Sequence, residues 1–213
     1  MKNLMPAIRF KLFMTLVLGL IYPLMMTGVS QVLFPLQASG DFQSRGGQLV
    51  GSHLISQKFE SLKYFWSRPS AVDYNPLASG GSNLGLTSQD LKKAVDERRQ
   101  KLKAAHADSA GEPPQDLLFA SGSGLDPHIS LDAAQYQLTR VAKVRFMSVE
   151  QVQKFIGEAS EGRGWGILGE PTVNVLALNL ALDQSQGIYS APVLLPAPKS
   201  AENAGAPAAS EAK

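Results

Sequence analysis

The sequence predicts an α+β protein: a single N-terminal transmembrane helix followed by one extracytoplasmic mixed α/β domain. Three observations lead there. No charged residue occurs between Lys11 and Asp41, which leaves an apolar run long enough to cross a bilayer. From Gln37 to Asp183 strand-type and helix-type stretches alternate, and several helix starts carry capping residues. The composition is otherwise that of an ordinary globular domain, with 20 basic against 18 acidic residues and no cysteine. Near-balance of charge gives no footprint for nucleic acid. Without cysteine there is no disulfide, no thiolate zinc site and no thiol nucleophile. His53, His106 and His128 are the whole imidazole supply, and no cofactor-binding or metal-ligating set is assigned.

The N-terminal elements follow from charge and length. Residues 1–11 carry Lys2, Arg9 and Lys11 and no acid, and residues 12–34, LFMTLVLGLIYPLMMTGVSQVLF, form the span. Positive flanking charge places 1–11 in the cytoplasm and everything after Phe34 outside. A cleaved signal peptide would have a shorter apolar core and a small-residue exit, so an uncleaved anchor is expected. Tyr22-Pro23 sits mid-span. Proline removes a helical N–H there, and the freed carbonyl needs a neighbour. Tyr22 and Pro23 are therefore the candidate partner-contact residues of the anchor.

Residues 35–186 form the domain. QLVGSHLISQKF reads as strand. YFWSRPSAVDYNP, Tyr64 to Pro76, reads as an ordered loop with a local aromatic cluster. A helix follows, capped by Thr87 with Asp90 three residues on, and with Leu91, Val95 and Leu102 facing inward and a charged outer face. DLLFA reads as a short buried strand. LDAAQYQLTRVAKVR is the second helix, with Ala134, Leu138, Val141 and Arg145 at helical spacing. Ser148 and Gln151 make a capping box for the third. EGRGWGILGEP is a glycine-rich turn region. In TVNVLALNLALD the valines favour strand and the leucines favour helix from Asn174 on, with helix preferred overall. From residue 187 to 213 the chain is Ala/Pro-rich and is expected to be a disordered tail.

ASGSGLDPHIS, Ala120–Ser130, is the stretch richest in chemistry-bearing residues. Phosphate-loop and dinucleotide patterns fail: no Lys-Ser/Thr follows the glycines, and Gly122 and Gly124 lack a third at the required step. Ser121, Ser123, Asp126 and His128 include every residue type of a hydrolytic triad. A triad, however, converges from distant segments, and G-x-S-x-G is absent. A turn with a helix cap accounts for the residues more simply. Gly122 and Gly124 shape the turn, Asp126 bonds the backbone two residues on, Pro127 fixes φ, and Ser130 caps the helix. ASGGSNLG at 78–85 is similar, so two helices are launched by related glycine-rich turns.

GSHLISQKF, YFWSRPSAVDYNP, ASGGSNLG, ASGSGLDPHIS with RVAKVR, and VNVLALNLALD, in this order, resemble the C subunit of the Kdp high-affinity potassium-translocating P-type ATPase. The resemblance runs from the anchor to about Asp183. It implies a non-catalytic accessory subunit in a bacterial inner-membrane complex. Its partners there would be a channel-like potassium-binding subunit, the P-type ATPase catalytic subunit and a small stabilising subunit. It also implies a role in assembly and as a catalytic chaperone raising the ATP affinity of the catalytic subunit, so that ATP and potassium belong to the complex rather than to this chain. The sequence itself has no DKTG phosphorylation motif and no second span. Two other classes compete: a membrane-anchored hydrolase using Ser123 or Ser121, and a binding module using the aromatic loop.

Overall fold

The computed structural model describes residues 3–45, 48–109, 111–164 and 166–187. The expected tail therefore lies, from residue 188 on, outside the described residues.

The chain opens with α1 (Leu4–Leu16), a π-helical turn at Val17–Ile21, and α2 (Tyr22–Leu33). Together they make one 30-residue helix that contains an 18-residue stretch of mean hydropathy 2.0. At 1.5 Å per residue it is about 45 Å long, against about 30 Å of hydrocarbon, so its charged first turns extend beyond the apolar run. The π turn has a local cause. Pro23 offers no N–H, and its ring would press on the carbonyl one turn back. Widening the preceding turn shifts the pairing, and the Tyr22 N–H donates to the Val17 carbonyl. The Thr27 hydroxyl adds a bond to the Pro23 carbonyl at 2.8 Å. No residue of the helix is buried against the other described residues.

The short helix α3 (Pro35–Ala38) joins the anchor to a hairpin, β1 (Phe42–Arg45) and β2 (Gln48–Ser52), paired antiparallel. The strand expected through QLVGSHLISQKF stops at Ser52. That side chain ends it: Ser52 Oγ accepts from the Leu54 N–H and donates to the Gly40 carbonyl, and the chain turns.

Five further α-helices and a small sheet complete the domain. They are α4 (Gln89–Ala105), α5 (Gln115–Leu118), β3 (His128–Ser130), α6 (Leu131–Arg145), α7 (Val149–Glu158), β4 (Ser160–Glu161), β5 (Thr172–Asn174) and α8 (Val175–Ser185). The sheet order is β3-β5-β4, all antiparallel, so the last strand in sequence is the central one. DLLFA is not a strand. Pro114 precedes one helical turn, α5, which buries Leu117 and Leu118. A short apolar run fits either state, and this one closes a helical turn, with the Phe119 N–H donating to the Gln115 carbonyl. The 172–183 segment divides at Asn174, strand before and helix after. The Asn174 side chain accepts from the Ala177 N–H and starts α8.

Ile129, Val141, Val152, Ile156, Val173, Leu178 and Leu182 form the centre of the core together with Phe65. Phe65 belongs to the aromatic loop, which is held by side chains rather than by a strand. The Asn179 carboxamide pairs with both backbone groups of Phe65, at 2.8 and 3.0 Å. The Gln137 carboxamide does the same for Trp66, at 2.7 and 3.2 Å. Arg140 donates to the carbonyls of Leu62 and Tyr64, and Arg145 Nε donates to that of Lys63 at 2.6 Å. Polar residues on the inner faces of α6 and α8 thus substitute for ladder partners. Both helices start beside β3 and β5, and they end together at the buried Arg145–Asp183 pair, 2.8 Å apart.

Candidate functional site: the glycine-rich loops and the anchor junction

The loop Ala120–Ser130 is a turn tied into its surroundings. Ser121 N–H donates to the Pro69 carbonyl at 3.0 Å, and Gly80 N–H to the Ser123 carbonyl at 2.8 Å. The two similar glycine-rich segments therefore lie against one another. Gly124 has φ +69°, and a Cβ there would sit 2.7 Å from Val72 Cγ2 and 2.9 Å from the Gly80 carbonyl oxygen, so conformation and space both require glycine. At Gly122 a Cβ would meet nothing within 4 Å. Ser123 Oγ accepts from the Leu125 N–H at 3.1 Å. Asp126 Oδ1 accepts from the His128 N–H at 3.0 Å, two residues on, across Pro127. Ser130 Oγ accepts from the Ala133 N–H at 3.0 Å and starts α6. Among the described residues neither Ser121 nor Ser123 makes a hydrogen bond to His128, and Ser121 is buried.

One cap moves from its expected position. The start of α4 is capped by Ser88, not Thr87: Ser88 Oγ accepts from the Leu91 N–H. Ser88 has the extended backbone of a cap and its own N–H donates to the Gly85 carbonyl, which places Thr87 in the preceding turn. Asp90 then sits in the first helical turn, where it favours the helix dipole without closing a capping box.

His128 and Asp126 do act together, as an electrostatic pair. Asp126 Oδ2 accepts from Arg68 Nη1 at 2.8 Å, and Asp126 Oδ1 lies 3.7 Å from His128 Nδ1. Glu161 Oε1 on β4 is 3.5 Å from His128 Nε2. Asp126, reinforced by Glu161, raises the His128 pKa above its ordinary value against the opposing effect of burial. Burial pushes the Asp126 carboxyl up, and His128 with Arg68 more than reverse it.

His128 also faces an open cavity of about 370 Å³ that it shares with Gln37, Asp41, His53, Glu161 and Asn174. Asn174 Nδ2 donates to the His53 carbonyl at 2.9 Å, and His53 Nδ1 lies 3.3 Å from Asp41 Oδ2. Gln37 and Asp41 follow directly on the anchor, so this cavity marks the anchor end of the domain. The sequence offered no signal for it, since its walls come from five separate segments. Among the described residues no group of three or more His, Asp or Glu is placed to hold a metal ion. Tyr22 and Pro23 lie in the middle of the anchor, both exposed on a helix that none of the other described residues covers.

The family model described as the c chain of K+-transporting ATPase matches residues 4–184, which takes in the anchor, both glycine-rich loops and α8. The chain belongs to the KdpC family. It is 49% identical over 186 residues to the potassium-transporting ATPase KdpC subunit of Serratia proteamaculans, covering 86% of this chain and 98% of that one. It is 48% identical over 188 residues to the subunit of the same name from Geobacter metallireducens, with the same coverage. The Burkholderia mallei subunit is 47% identical over 193 residues, 89% of this chain and 100% of its own length. The family match ends at residue 184, within α8.

Proposed function

We propose that this chain is the single-span accessory subunit of an ATP-driven, high-affinity potassium uptake complex in a bacterial inner membrane. It works beside a channel-like potassium-binding subunit, the P-type ATPase catalytic subunit and a small stabilising subunit. It carries no catalytic site of its own, serves assembly, and raises the ATP affinity of the catalytic subunit. The relatives are named as subunits of a potassium-transporting ATPase, and nearly their full length aligns with this chain.

The observation that carries the reading is the anchor. An apolar helix interrupted by a π turn and a proline, and covered by none of the other described residues, has the form of a docking element. Lys2, Arg9 and Lys11 put its start in the cytoplasm and the domain outside. ATP is cytoplasmic, so an effect on ATP affinity reaches the catalytic subunit through helix packing in the membrane, as a coupling between distant sites.

Replacing residues 12–34 by an unrelated straight span of equal length tests this. The swapped protein should insert normally, co-purify poorly with the larger subunits in mild detergent, and restore little potassium uptake at low external potassium. Assembly and transport equal to the parent would reduce the anchor to a tether. A parent chain that brings no other subunit with it would remove the proposal altogether.

A further inference from the structure

The hairpin that follows the anchor has one face turned to the domain and one left bare. Its register sets the two faces. Phe42 pairs with Ser52 and Ser44 with Leu49, so these four side chains share one side, while Gln43 and Gly51 share the other. The Gln43–Gly51 side meets the domain. A Cβ on Gly51 would lie 3.1 Å from Leu176 Cδ2 on α8, and the Gln43 carboxamide reaches Asp41 at 3.0 Å and His53 at 3.3 Å. On the opposite side Phe42 is 63% exposed and Leu49 58%, and Ser44 is exposed with them. The chain arriving from the anchor lies on this same side. Ser52 Oγ donates to the Gly40 carbonyl at 2.7 Å, and the Phe42 ring lies beside Gly40, where a Cβ would meet its Cε2 at 2.8 Å. The bare face is therefore the one on the anchor side of the hairpin.

Length places that face. With Lys11 at one membrane surface, residues 12–34 rise about 35 Å, so about 30 Å of hydrocarbon ends near Phe34. The Asp41 N–H then donates to the Leu36 carbonyl at 2.8 Å and folds the chain back. Phe42 follows directly on that bond, and Leu36 is two residues past Phe34. We infer that the Phe42–Leu49 face lies in the lipid headgroup layer on the domain's side of the membrane, an interfacial contact that fixes how the domain sits over its anchor. Lipid is the occupant because the covalent chain delivers the face to it whatever else binds. The chemistry agrees. Phe and Leu bury apolar area at the headgroup boundary, while Ser44 and the unpaired strand edges keep the water found there. From Phe34 to Ser52 the charged residues are Asp41 and Arg45. Asp41 is engaged by Gln43 and His53, and Arg45, beside the turn, is of the residue type that phosphate groups attract. The inference depends on the span and not on which subunits the anchor meets.

The chain has no cysteine, so a single NBD label reports one position. The full-length chain carries it at Ser44→Cys, on the bare face but leaving Phe42 and Leu49 intact. The vesicles are phosphatidylethanolamine and phosphatidylglycerol with a nitroxide just below the headgroup. Val29→Cys reports the span. Phe146→Cys, exposed at the end of α6 away from β3, reports the far end of the domain. Ser44→Cys should be quenched at least about threefold, as an interfacial group is, and Phe146→Cys should be unchanged. Adding Phe42→Asp with Leu49→Asp should abolish quenching at Ser44→Cys and leave it unaltered at Val29→Cys. Quenching at Val29→Cys alone overturns the inference and leaves the anchor standing; quenching at neither removes both. Equal quenching at Phe146→Cys, or quenching at Ser44→Cys that survives the two aspartates, means that this face does not select the contact and overturns it. Loss of quenching at Ser44→Cys in the purified complex, in nanodiscs of the same lipids, assigns the face to protein. A disulfide-linked dimer through Ser44→Cys assigns it to a second copy. Either overturns it.

Discussion

Arg140 Nε donates to His106 Nε2 at 2.8 Å, in the interior of the domain. Arginine cannot accept, so His106 accepts there as a neutral ring and donates through Nδ1 to the Leu102 carbonyl at 2.8 Å. The ring also packs against Trp66 and Tyr136. Burial first, and the Arg140 charge second, lower the His106 pKa to about 4. An unfolded histidine titrates near 6.5, so the unfolded chain binds the extra proton between those values. Stability from this group is complete above about pH 6.5 and falls as pH drops towards 4, by up to about 1.4 kcal/mol per pH unit. His128 has the opposite sign, since its raised pKa favours the folded state below its ordinary value and loses that contribution above the raised one. Urea unfolding of the parent and of His106→Gln between pH 7.5 and 5 separates the two. The parent should lose stability on acidification and the variant, which keeps an acceptor for Arg140, should lose clearly less.

The aromatic loop depends on two carboxamides. Asn179→Ala leaves the N–H and C=O of Phe65 buried without partners, and Gln137→Ala does so for Trp66. A buried unsatisfied group costs about 1–3 kcal/mol, so each substitution should cost at least about 2 kcal/mol. A thermal-melt shift of less than a degree in Asn179→Ala would mean that the loop is held elsewhere.

Three substitutions in the glycine-rich loop should rank by geometry. Gly124→Ala forces a side chain at φ +69° into Val72 and the Gly80 carbonyl and should cost about 1–3 kcal/mol. Ser130→Ala removes the α6 cap and should cost about 0.5–2 kcal/mol. Gly122→Ala should stay within about 0.5 kcal/mol. In the same series Ser123→Ala should leave potassium uptake near the parent level. Hydrolytic turnover that disappears with Ser123 would replace this account with an enzymatic one.

Orientation is tested by fusion. Alkaline phosphatase joined after Asp183 should be active and a reporter that works only in the cytoplasm should be silent at the same point. The reverse pattern would put the domain on the ATP side of the membrane and change every argument about coupling.

Local signals in the sequence carried most of the helices. Ser148 and Gln151 do form a reciprocal capping box, and Asn174 does start α8. Their bonds span three residues, so the information is contiguous. The α4 cap was misplaced by one because Thr87 and Ser88 are both competent, and only the bond from Ser88 N–H to the Gly85 carbonyl decides between them. α5 was misread because four apolar residues in a row, Leu117 to Ala120, have no readable period. The Phe65–Asn179 and Trp66–Gln137 pairs were invisible, since Asn and Gln within helices read as solvent-facing until their partners, 114 and 71 residues away, are known. The cavity behind the anchor was hidden for the same reason.

That reliance on distant partners sets an order of events in synthesis. The anchor is made before the domain, and β5 and α8 are the last of the domain's described elements. Yet β5 is the middle of its sheet, and α8 supplies the Asn179 that fixes Phe65. Until about residue 185 has emerged, the early loop has only half its clamps and β3 and β4 have nothing between them. The helix can be in the bilayer, and free to meet other subunits, well before the domain closes. A ribosome stalled in the 160s would therefore display an inserted but open protein, with Phe65 and Trp66 uncovered for whatever folding factor reaches them first.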